Sequence, residues 1–261
     1  MLKGMILAAG LGQRLRPLTE KKAKPALPLL NLPLLAYNLF YLEQLGIQEV
    51  IINTHHCPHT VEEAVTSLPL RSLKVCFSYE DTILGTGGGI WKAKDFLKSS
   101  SHFVVCNGDN LILLPEQRTL KPLLEYHQSK NFLATHLVGQ HKDLLKYYGA
   151  VWVEGERVIG YGKTPPSPRS QACHLLGVTV FSRAVFEFFP EGPSSILTDV
   201  LAPAISKGQQ VGALPLPDIL WLETGTPEAF KAAQKQLLNI KEDPGSIYHS
   251  TLNQILERFL S

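Results

Sequence analysis

The stretch MILAAGLGQRLRPLT, residues 5–19, decides how this chain folds. It begins as an apolar run without polar alternation, which is typical of a parallel β-strand buried on both faces. The run stops at Gly10-Leu11-Gly12, and Arg14 and Arg16 follow within four positions. A glycine-rich turn after such a strand lets backbone N–H groups approach phosphate oxygens closely. The stretch therefore predicts the first strand of an α/β fold, followed by a loop suited to phosphate.

The rest of the first half repeats a strand–helix pattern. Apolar runs predict further strands at EVIINT (49–54), LKVCFSYE (73–80) and HFVVCNGDN (102–110). The segments between them have helical spacing or helix-start signals and lie at 31–46, 58–65 and 86–97. This repeated unit predicts a doubly wound, mostly parallel mixed sheet of the Rossmann-like type.

The second half is less regular. GAVWVEGERVIGYG (149–162) predicts a β-hairpin insertion that turns at residues 154–156. Further strands are expected at 175–181, 210–217 and 219–224, and helices near 182–189, 195–207 and from Pro227. We expect one domain over residues 1–240 and a linker with a C-terminal helix over 241–261, with Ser250 as the N-cap of that helix.

Composition and charge exclude several classes of protein. With 44% hydrophobic and 18% charged residues the chain can bury a full core. The net charge of +2 is too small for a nucleic-acid binder, but residues 1–30 carry six basic residues against one acidic residue, which suits a small polyanion. No apolar run approaches the roughly 18 residues of a membrane span, and the N-terminus has no signal segment. Four scattered cysteines predict reduced thiols in a cytoplasmic protein.

Two common phosphate-binding motifs do not fit the loop. The dinucleotide fingerprint needs a third glycine where the chain has Leu15, and an acidic residue near the end of the second strand, where the chain reads INTHH. The Walker A motif needs Gly-Lys-Ser/Thr where the chain reads Gly-Gln-Arg. Instead, Arg14 follows the glycine turn and Lys24-Pro25 comes ten residues later, which would place two cations over a phosphate chain.

These residues carry a resemblance to a known family. LAAGLGQRLRPLT followed by KPALPL resembles the opening signature of the sugar-phosphate nucleotidyltransferases, the nucleoside-diphosphate-sugar pyrophosphorylases. Five further blocks follow in the family's order: LGTGGGI, CNGDN, YYGAVWV, ILTDVL and WLETGTPE, so that the resemblance covers roughly residues 3–235. The chain is most similar to short members such as the mannose-1-phosphate guanylyltransferases and the N-acetylmuramate-1-phosphate uridylyltransferases.

The resemblance implies transfer of a nucleotidyl group from an NTP, GTP or UTP, to a sugar 1-phosphate, with release of pyrophosphate. It assigns catalytic roles to Arg14, Lys24 and Asp109. It also implies Mg²⁺ as cofactor, bound by Asp109 and by Glu223, which stands where the family usually has a second Asp. Glutamate keeps the charge but is longer by one methylene.

The resemblance also implies the substrate-binding residues. The nucleotide is expected against Ala8, Ala9, Gly10, Gly12, Glu80, Gly85, Thr86 and Gly87. A carboxylate such as Glu80 accepts two hydrogens from the guanine edge, whereas uracil offers one, which favours GTP. The sugar phosphate is expected against Asn107, Gly149, Lys163 and Gly177. The sugar-side Glu that usually precedes this lysine is replaced by Gly162, so the identity of the sugar stays open.

One rival function, a metal cluster and the C-terminal helix need separate comment. The changes at 162 and 223 are compatible with a non-catalytic nucleotide-sugar-binding module. The cluster His55, His56, Cys57 and His59 has the side chains of a zinc site, but four residues so close in sequence cannot readily converge in a tetrahedron. The helix at 250–260 is expected either to pack on the domain or to form a homodimer contact. We expect no nucleic-acid or membrane partner.

Overall fold

In the computed structural model, which describes residues 1–70 and 73–260, the first strand β1 (Lys3–Leu7) is formed as expected. The chain divides into two compact units. The glycine-loop unit comprises Gly4–Ile83, Cys106–Leu120 and the chain from Asp218 onward, and the hairpin unit comprises Met1–Lys3, Leu84–Val105 and Lys121–Pro217. The expected domain ranges 1–240 and 241–261 stay a prediction; they include residues 71, 72 and 261, which lie outside the described residues.

The glycine-loop unit has alternating strands and helices. Its further strands are β2 (Pro28–Leu29), β3 (Leu32–Pro33), β4 (Glu49–Thr54), β5 (Lys74–Tyr79), β7 (Ile112–Leu113) and β13 (Leu220–Trp221). Its helices are α1 (Leu34–Gln44), α2 (Pro58–Thr66), α8 (Pro227–Glu242) and α9 (His249–Leu260). β5, β4 and β1 are neighbours in this order, and β4 and β5 pair in parallel. Met5 and Ile6 on β1 and Val50 and Ile52 on β4 are buried. These two strands therefore show the continuous apolar runs that the sequence displays.

The hairpin unit contains a mixed sheet. Its strands are β6 (His102–Asn107, the last two residues counted with the other unit), β8 (Ala134–Gly139), β9 (Ala150–Glu154), β10 (Arg157–Gly162), β11 (Gln171–Ser182) and β12 (Val211–Pro215). Its helices are α3 (Gly85–Lys92), α4 (Lys94–Leu97), α5 (Lys121–Lys130), α6 (Leu144–Tyr147) and α7 (Ala202–Ser206). The pairings β11–β8, β8–β12, β12–β10, β10–β9 and β9–β11 close on themselves, and all but β8–β12 are antiparallel.

The expected α/β fold with a hairpin insertion is confirmed. β9 and β10 pair antiparallel across the predicted turn, where Gly155 has a φ of +59°. The helices expected near 182–189 and 195–207 are irregular: a 3₁₀ segment spans Arg183–Glu187, and a wide π-type turn over Ile196–Leu201 precedes α7. No helix of the described residues is long and apolar enough to cross a membrane.

The C-terminal helix α9 packs within the glycine-loop unit. It buries Leu252, Ile255, Leu256 and Phe259, and its Arg258 donates two hydrogen bonds to the Glu43 carboxylate on α1, at 2.7 and 2.8 Å. A homodimer contact stays a prediction. The expectation that Ser250 caps this helix was wrong, because the helix already begins at His249 and Ser250 lies in its first turn.

A buried histidine links three strands of the hairpin unit. His136 on β8 is fully buried; its Nδ1 is 2.8 Å from Thr179 Oγ1 on β11, and its Nε2 is 2.9 Å from the Tyr161 hydroxyl on β10. Burial lowers the pKa of His136 from its ordinary 6.5 to about 3, because the charged ring would lose its hydration. The folded chain therefore keeps this ring neutral at a pH where the unfolded chain protonates it.

We predict that this histidine makes the fold sensitive to acid. Its contribution to the free energy of unfolding is complete above pH 6.5 and falls by up to about 1.4 kcal/mol per pH unit as the pH drops toward the folded-state pKa. Urea unfolding of the wild type between pH 6 and pH 5 should therefore show a loss about 1 kcal/mol larger than that of His136→Asn. Equal losses in the two proteins would contradict the assignment.

Candidate active site

The glycine loop, residues 8–19, is held by hydrogen bonds at both ends. Just after β1, the Ala8 N–H donates to Asn53 Oδ1 at the end of β4 (2.8 Å). Gly12 has a left-handed φ of +60°, and its carbonyl accepts from Leu15 N–H (2.9 Å) and from the Thr19 hydroxyl (2.8 Å). The turn therefore needs glycine at position 12. Gly10 is exposed, and an added Cβ there would meet nothing within 4 Å.

The predicted residues Lys24 and Asp109 form an ion pair. Lys24 begins a short 3₁₀ segment, Lys24–Ala26, and its Nζ lies 2.7 Å from Asp109 Oδ2 just after β6. The lysine side chain is only 11% exposed, whereas that of Asp109 is 41% exposed. The carboxylate thus compensates a nearly buried cation while one side of it still faces solvent.

Gly108 explains how Asp109 reaches this place. The Gly108 N–H donates to the Leu7 carbonyl at the end of β1 (2.8 Å). A Cβ added at Gly108 would lie 2.8 Å from the same carbonyl oxygen. Only glycine lets the two strand ends approach so closely, so the NGD pattern is a requirement for backbone packing as well as a source of the carboxylate.

The WLETG block reaches the same region through two hydrogen bonds. Thr224 Oγ1 donates to the Asp109 carbonyl (2.9 Å), and Trp221 Nε1 donates to Asn110 Oδ1 (3.2 Å). Glu223 is therefore the chain neighbour of Thr224, which is bonded to the Asp109 backbone. β13 and β7 add an antiparallel pairing that fixes the register.

Arg14 and Glu223 both border Gly225. The Gly225 N–H donates to Glu223 Oε1 (2.6 Å), and a Cβ added at Gly225 would meet that oxygen and lie 3.0 Å from Arg14 Nη2. The structure therefore brings together Arg14, Lys24, Asp109 and Glu223 in one unit. The carboxylate of Glu223 is directed at the backbone N–H of Gly225.

Glu80 is withdrawn from solvent. It follows β5, has no exposed surface, and its Oε1 accepts from Asn53 Nδ2 (2.7 Å). The Asn53 side chain thus connects Glu80 to the start of the glycine loop through its contact with Ala8. Contact of Glu80 with a base stays a prediction, and the structure adds a supporting role for this carboxylate. The sequence analysis missed Asn53; a polar side chain at the end of a buried strand was the available signal.

The other predicted nucleotide residues, Gly85, Thr86 and Gly87, lie in the hairpin unit. Gly85 has a φ of +72° and opens α3. The Thr86 hydroxyl accepts from Ile196 N–H (2.9 Å), and a Cβ at Gly87 would lie 2.6 Å from Ser194 Oγ. The glycines are therefore explained locally by the close packing of the 194–196 segment on α3. A contact of these residues with a nucleotide stays a prediction.

The predicted sugar-side residues lie at strand ends and bends. Asn107 ends β6, and Lys163 is exposed just after β10. Gly149 packs against Gly162, whose carbonyl accepts from Trp152 Nε1 (3.0 Å). Gly177 has a φ of +69° within β11, where the register with β8 shifts. Their contacts with a sugar stay predictions.

Binding of Mg²⁺ by Asp109 and Glu223 stays a prediction. Within residues 1–70 and 73–260, no group of three or more His, Cys, Asp or Glu side chains is arranged to hold a metal ion. Mg²⁺ characteristically takes one or two carboxylates and completes its octahedron with phosphate oxygens and water. Asp109 and Glu223 offer this donor set. The zinc alternative at 55–59 finds no support in the described residues.

A glycine turn after a buried parallel strand, together with an arginine and a lysine–carboxylate pair, is typical of α/β proteins that handle nucleoside phosphates. The comparisons identify the family. The chain belongs to the nucleotidyl transferase family, whose model matches residues 3–240.

Individual relatives agree with this family. The chain is 30% identical over 238 residues to the D-glycero-alpha-D-manno-heptose 1-phosphate guanylyltransferase of Aneurinibacillus thermoaerophilus, covering 90% of this chain and 98% of that protein. It is 26% identical over 240 residues to the mannose-1-phosphate guanylyltransferase catalytic subunit beta of Dictyostelium discoideum, covering 91% of this chain but 65% of that protein. HddC from Yersinia pseudotuberculosis, crystallised with GMP-PN, shares the fold, with a TM-score of 0.73 at 24% identity over 90% of this chain and 99% of that chain.

We predict that Gly108→Ala destabilises the protein by about 1–3 kcal/mol, because the new methyl group collides with the Leu7 carbonyl. Gly10→Ala is the matched control: no atom lies within 4 Å of its Cβ, so its stability should stay within about 0.5 kcal/mol of the wild type. Urea denaturation of the three proteins makes the comparison. Equal stabilities of the two variants would contradict the close approach of the two strand ends.

Proposed function

We propose that the chain transfers a nucleotidyl group from an NTP to a sugar 1-phosphate. A phosphate oxygen of the sugar 1-phosphate forms a bond to the α-phosphorus of the NTP, the bond from that phosphorus to the bridging oxygen of the β-phosphate breaks, and pyrophosphate leaves. The single observation that carries the proposal is the Lys24–Asp109 pair beside the glycine loop, because a fixed cation next to a carboxylate and a phosphate turn suits this reaction.

Each residue has a role that its position supports. The N–H groups of the Gly10–Gly12 turn hold the outer phosphates, and Arg14 stabilises the charge that develops on the leaving pyrophosphate. Lys24 bridges the two phosphate-bearing substrates. Asp109 holds Lys24 and is the first candidate ligand for Mg²⁺, with Glu223 as the second. A bound Mg²⁺ supplies charge neutralisation to the triphosphate.

We propose GTP as the preferred donor. Two relatives, from Dictyostelium discoideum and Aneurinibacillus thermoaerophilus, are named as guanylyltransferases. Glu80 is fully buried against Asn53 in this structure, so the donor proposal rests on these relatives, and a contact of Glu80 with the base stays a prediction. The names of these two relatives, a mannose-1-phosphate and a heptose 1-phosphate guanylyltransferase, also suggest a phosphorylated hexose or heptose as the acceptor. None of the four cysteines forms a disulfide with another described residue, which supports the proposal of a reducing, cytoplasmic location.

The experiment is pyrophosphate release over a grid of four NTPs and a panel of sugar 1-phosphates with Mg²⁺. We expect turnover with GTP and one or a few acceptors, and its loss in Asp109→Ala by about 10³ or more, because both the metal site and the Lys24 partner are removed. Thermal unfolding of the variant is the control for folding. Clear preference for UTP would overturn the donor assignment and leave the reaction class intact.

The expected contact of Glu80 with guanine predicts that Glu80→Gln lowers kcat/KM for GTP about tenfold or more relative to that for UTP, because the amide has one acceptor in place of a charged pair. Steady-state kinetics with both nucleotides measure the ratio. Equal losses for the two nucleotides would show that Glu80 only supports Asn53.

A second candidate function is a nucleotide-sugar-binding module without turnover. The observation that favours it is the orientation of the Glu223 carboxylate, which accepts a hydrogen bond from the backbone N–H of Gly225, two residues further along the chain. Silence across the whole grid, together with measurable NTP binding, would establish this candidate and make Glu223→Asp the next protein to assay.

A further inference from the structure

The histidines between β4 and α2, which the sequence analysis considered for a zinc site, make hydrogen bonds to other segments of the chain. His55 and His56 are half-buried, and Cys57 has a left-handed φ of 48° before α2 begins at Pro58. His55 Nδ1 is 2.8 Å from the Glu80 backbone carbonyl, and His56 Nε2 is 2.6 Å from the Thr19 backbone carbonyl. Both rings therefore hold other segments of the glycine-loop unit.

The His56 contact continues to the phosphate turn. Because the Thr19 carbonyl can only accept, the His56 Nε2 atom must carry the hydrogen and donate it. Thr19 is fully buried, its hydroxyl donates to the Gly12 carbonyl (2.8 Å), and a Cβ added at Gly12 would lie 3.0 Å from the Thr19 methyl carbon. Two successive hydrogen bonds thus connect His56 to the residue whose left-handed conformation shapes the turn.

The same segment holds the chain just before Lys24. The Thr60 hydroxyl donates to the Cys57 carbonyl (2.7 Å) and accepts from the Ala23 N–H (3.0 Å). Residues 20–22, which connect Thr19 to Ala23, are exposed. The segment 55–60 therefore holds the chain on both sides of residues 20–22. On one side it contacts Thr19, which is bonded to Gly12, and on the other it contacts Ala23, which precedes Lys24.

We propose that His56 is a positioning residue for the phosphates of the NTP, acting through Thr19 on the Gly10–Gly12 turn. The proposal rests on the proposed function of this turn and goes beyond it, because His56 itself touches no reacting atom. The ring donates through Nε2 in its neutral tautomer and in its protonated form alike. Its role therefore differs from proton transfer, which one of the two forms would abolish.

The test uses three variants. His56→Gln keeps an N–H donor at a similar reach, His56→Leu keeps the approximate size without a donor, and His59→Leu changes an exposed histidine of the same segment. We expect His56→Leu to raise KM for the NTP about tenfold, the effect of one lost hydrogen bond, with KM for the sugar 1-phosphate changed less than about twofold. His56→Gln should restore KM to within about twofold and share the wild-type pH profile, and His59→Leu should match the wild type.

A variant at Thr19 tests the same chain of hydrogen bonds, so the test does not depend on whether His56→Leu folds. Thr19→Val removes only the hydroxyl that binds the Gly12 carbonyl, and we expect it to weaken NTP binding as His56→Leu does. Calorimetric affinities for the NTP and for the nucleoside without phosphates give a readout without turnover: the loss should fall on the NTP. A purely structural role would lower thermal stability and leave both affinities of the folded protein unchanged.

The outcomes separate this inference from the proposed function. Wild-type protein that binds no NTP would overturn both. Wild-type protein that binds the NTP, with His56→Leu binding it equally well, would overturn the role of His56 alone. Equal losses in His56→Gln and His56→Leu would also overturn it, because the donor would then be irrelevant.

Discussion

The rest of the site depends on one interaction, the ion pair of Lys24 with Asp109. The lysine lies near the end of the basic N-terminal segment and the aspartate follows a strand more than eighty residues later, so the pair joins the segment after the glycine loop to the chain just after β6. A cation that is 11% exposed needs a partner, and the remaining exposure of Asp109 moderates the desolvation cost that a fully buried pair would carry. The ion pair orients the Lys24 ammonium group, and the exposed part of Asp109 leaves one side of the pair open to solvent.

A second constraint comes from the end of β4. Asn53 accepts from Ala8 and donates to Glu80, while His56 and Thr60 hold Thr19 and Ala23. Polar side chains at the end of β4, in the segment that follows it and in the first turn of α2 therefore help to determine where the turn, the carboxylate and the lysine segment lie. The loop itself has exposed residues on either side of Thr19, and its conformation is imposed by its neighbours. This arrangement agrees with the general rule that rigid elements position functional loops.

Much of the fold was predictable from local patterns. β1, β4 and β6 contain continuous buried apolar runs, α8 has an amphipathic spacing with Pro227 at its start, and the hairpin has glycine at its turn. The sequence analysis gave no element for 121–139, where the structure has α5 and β8. α5 presents few buried residues, so its periodicity is weak.

The sequence named the residues of the candidate site but not their contacts. The family signature names Arg14, Lys24 and Asp109, and the structure brings the last two within 2.7 Å. The burial of Glu80, the central place of Asn53 and the turn of Glu223 onto Gly225 depend on which strand ends meet and on side-chain directions. No local pattern specifies those, because the partners are 27 to 45 residues apart in the first two cases.

The measurement that tests the central claim most directly is a crystal structure of the protein with a non-hydrolysable GTP analogue, Mg²⁺ and a sugar 1-phosphate. The account predicts the outer phosphates on the N–H groups of Gly10–Gly12, Arg14 and Lys24 in contact with phosphate oxygens, and Asp109 on the metal ion. A triphosphate bound away from the glycine loop, with Lys24 and Asp109 contacting neither phosphate nor metal, would contradict it.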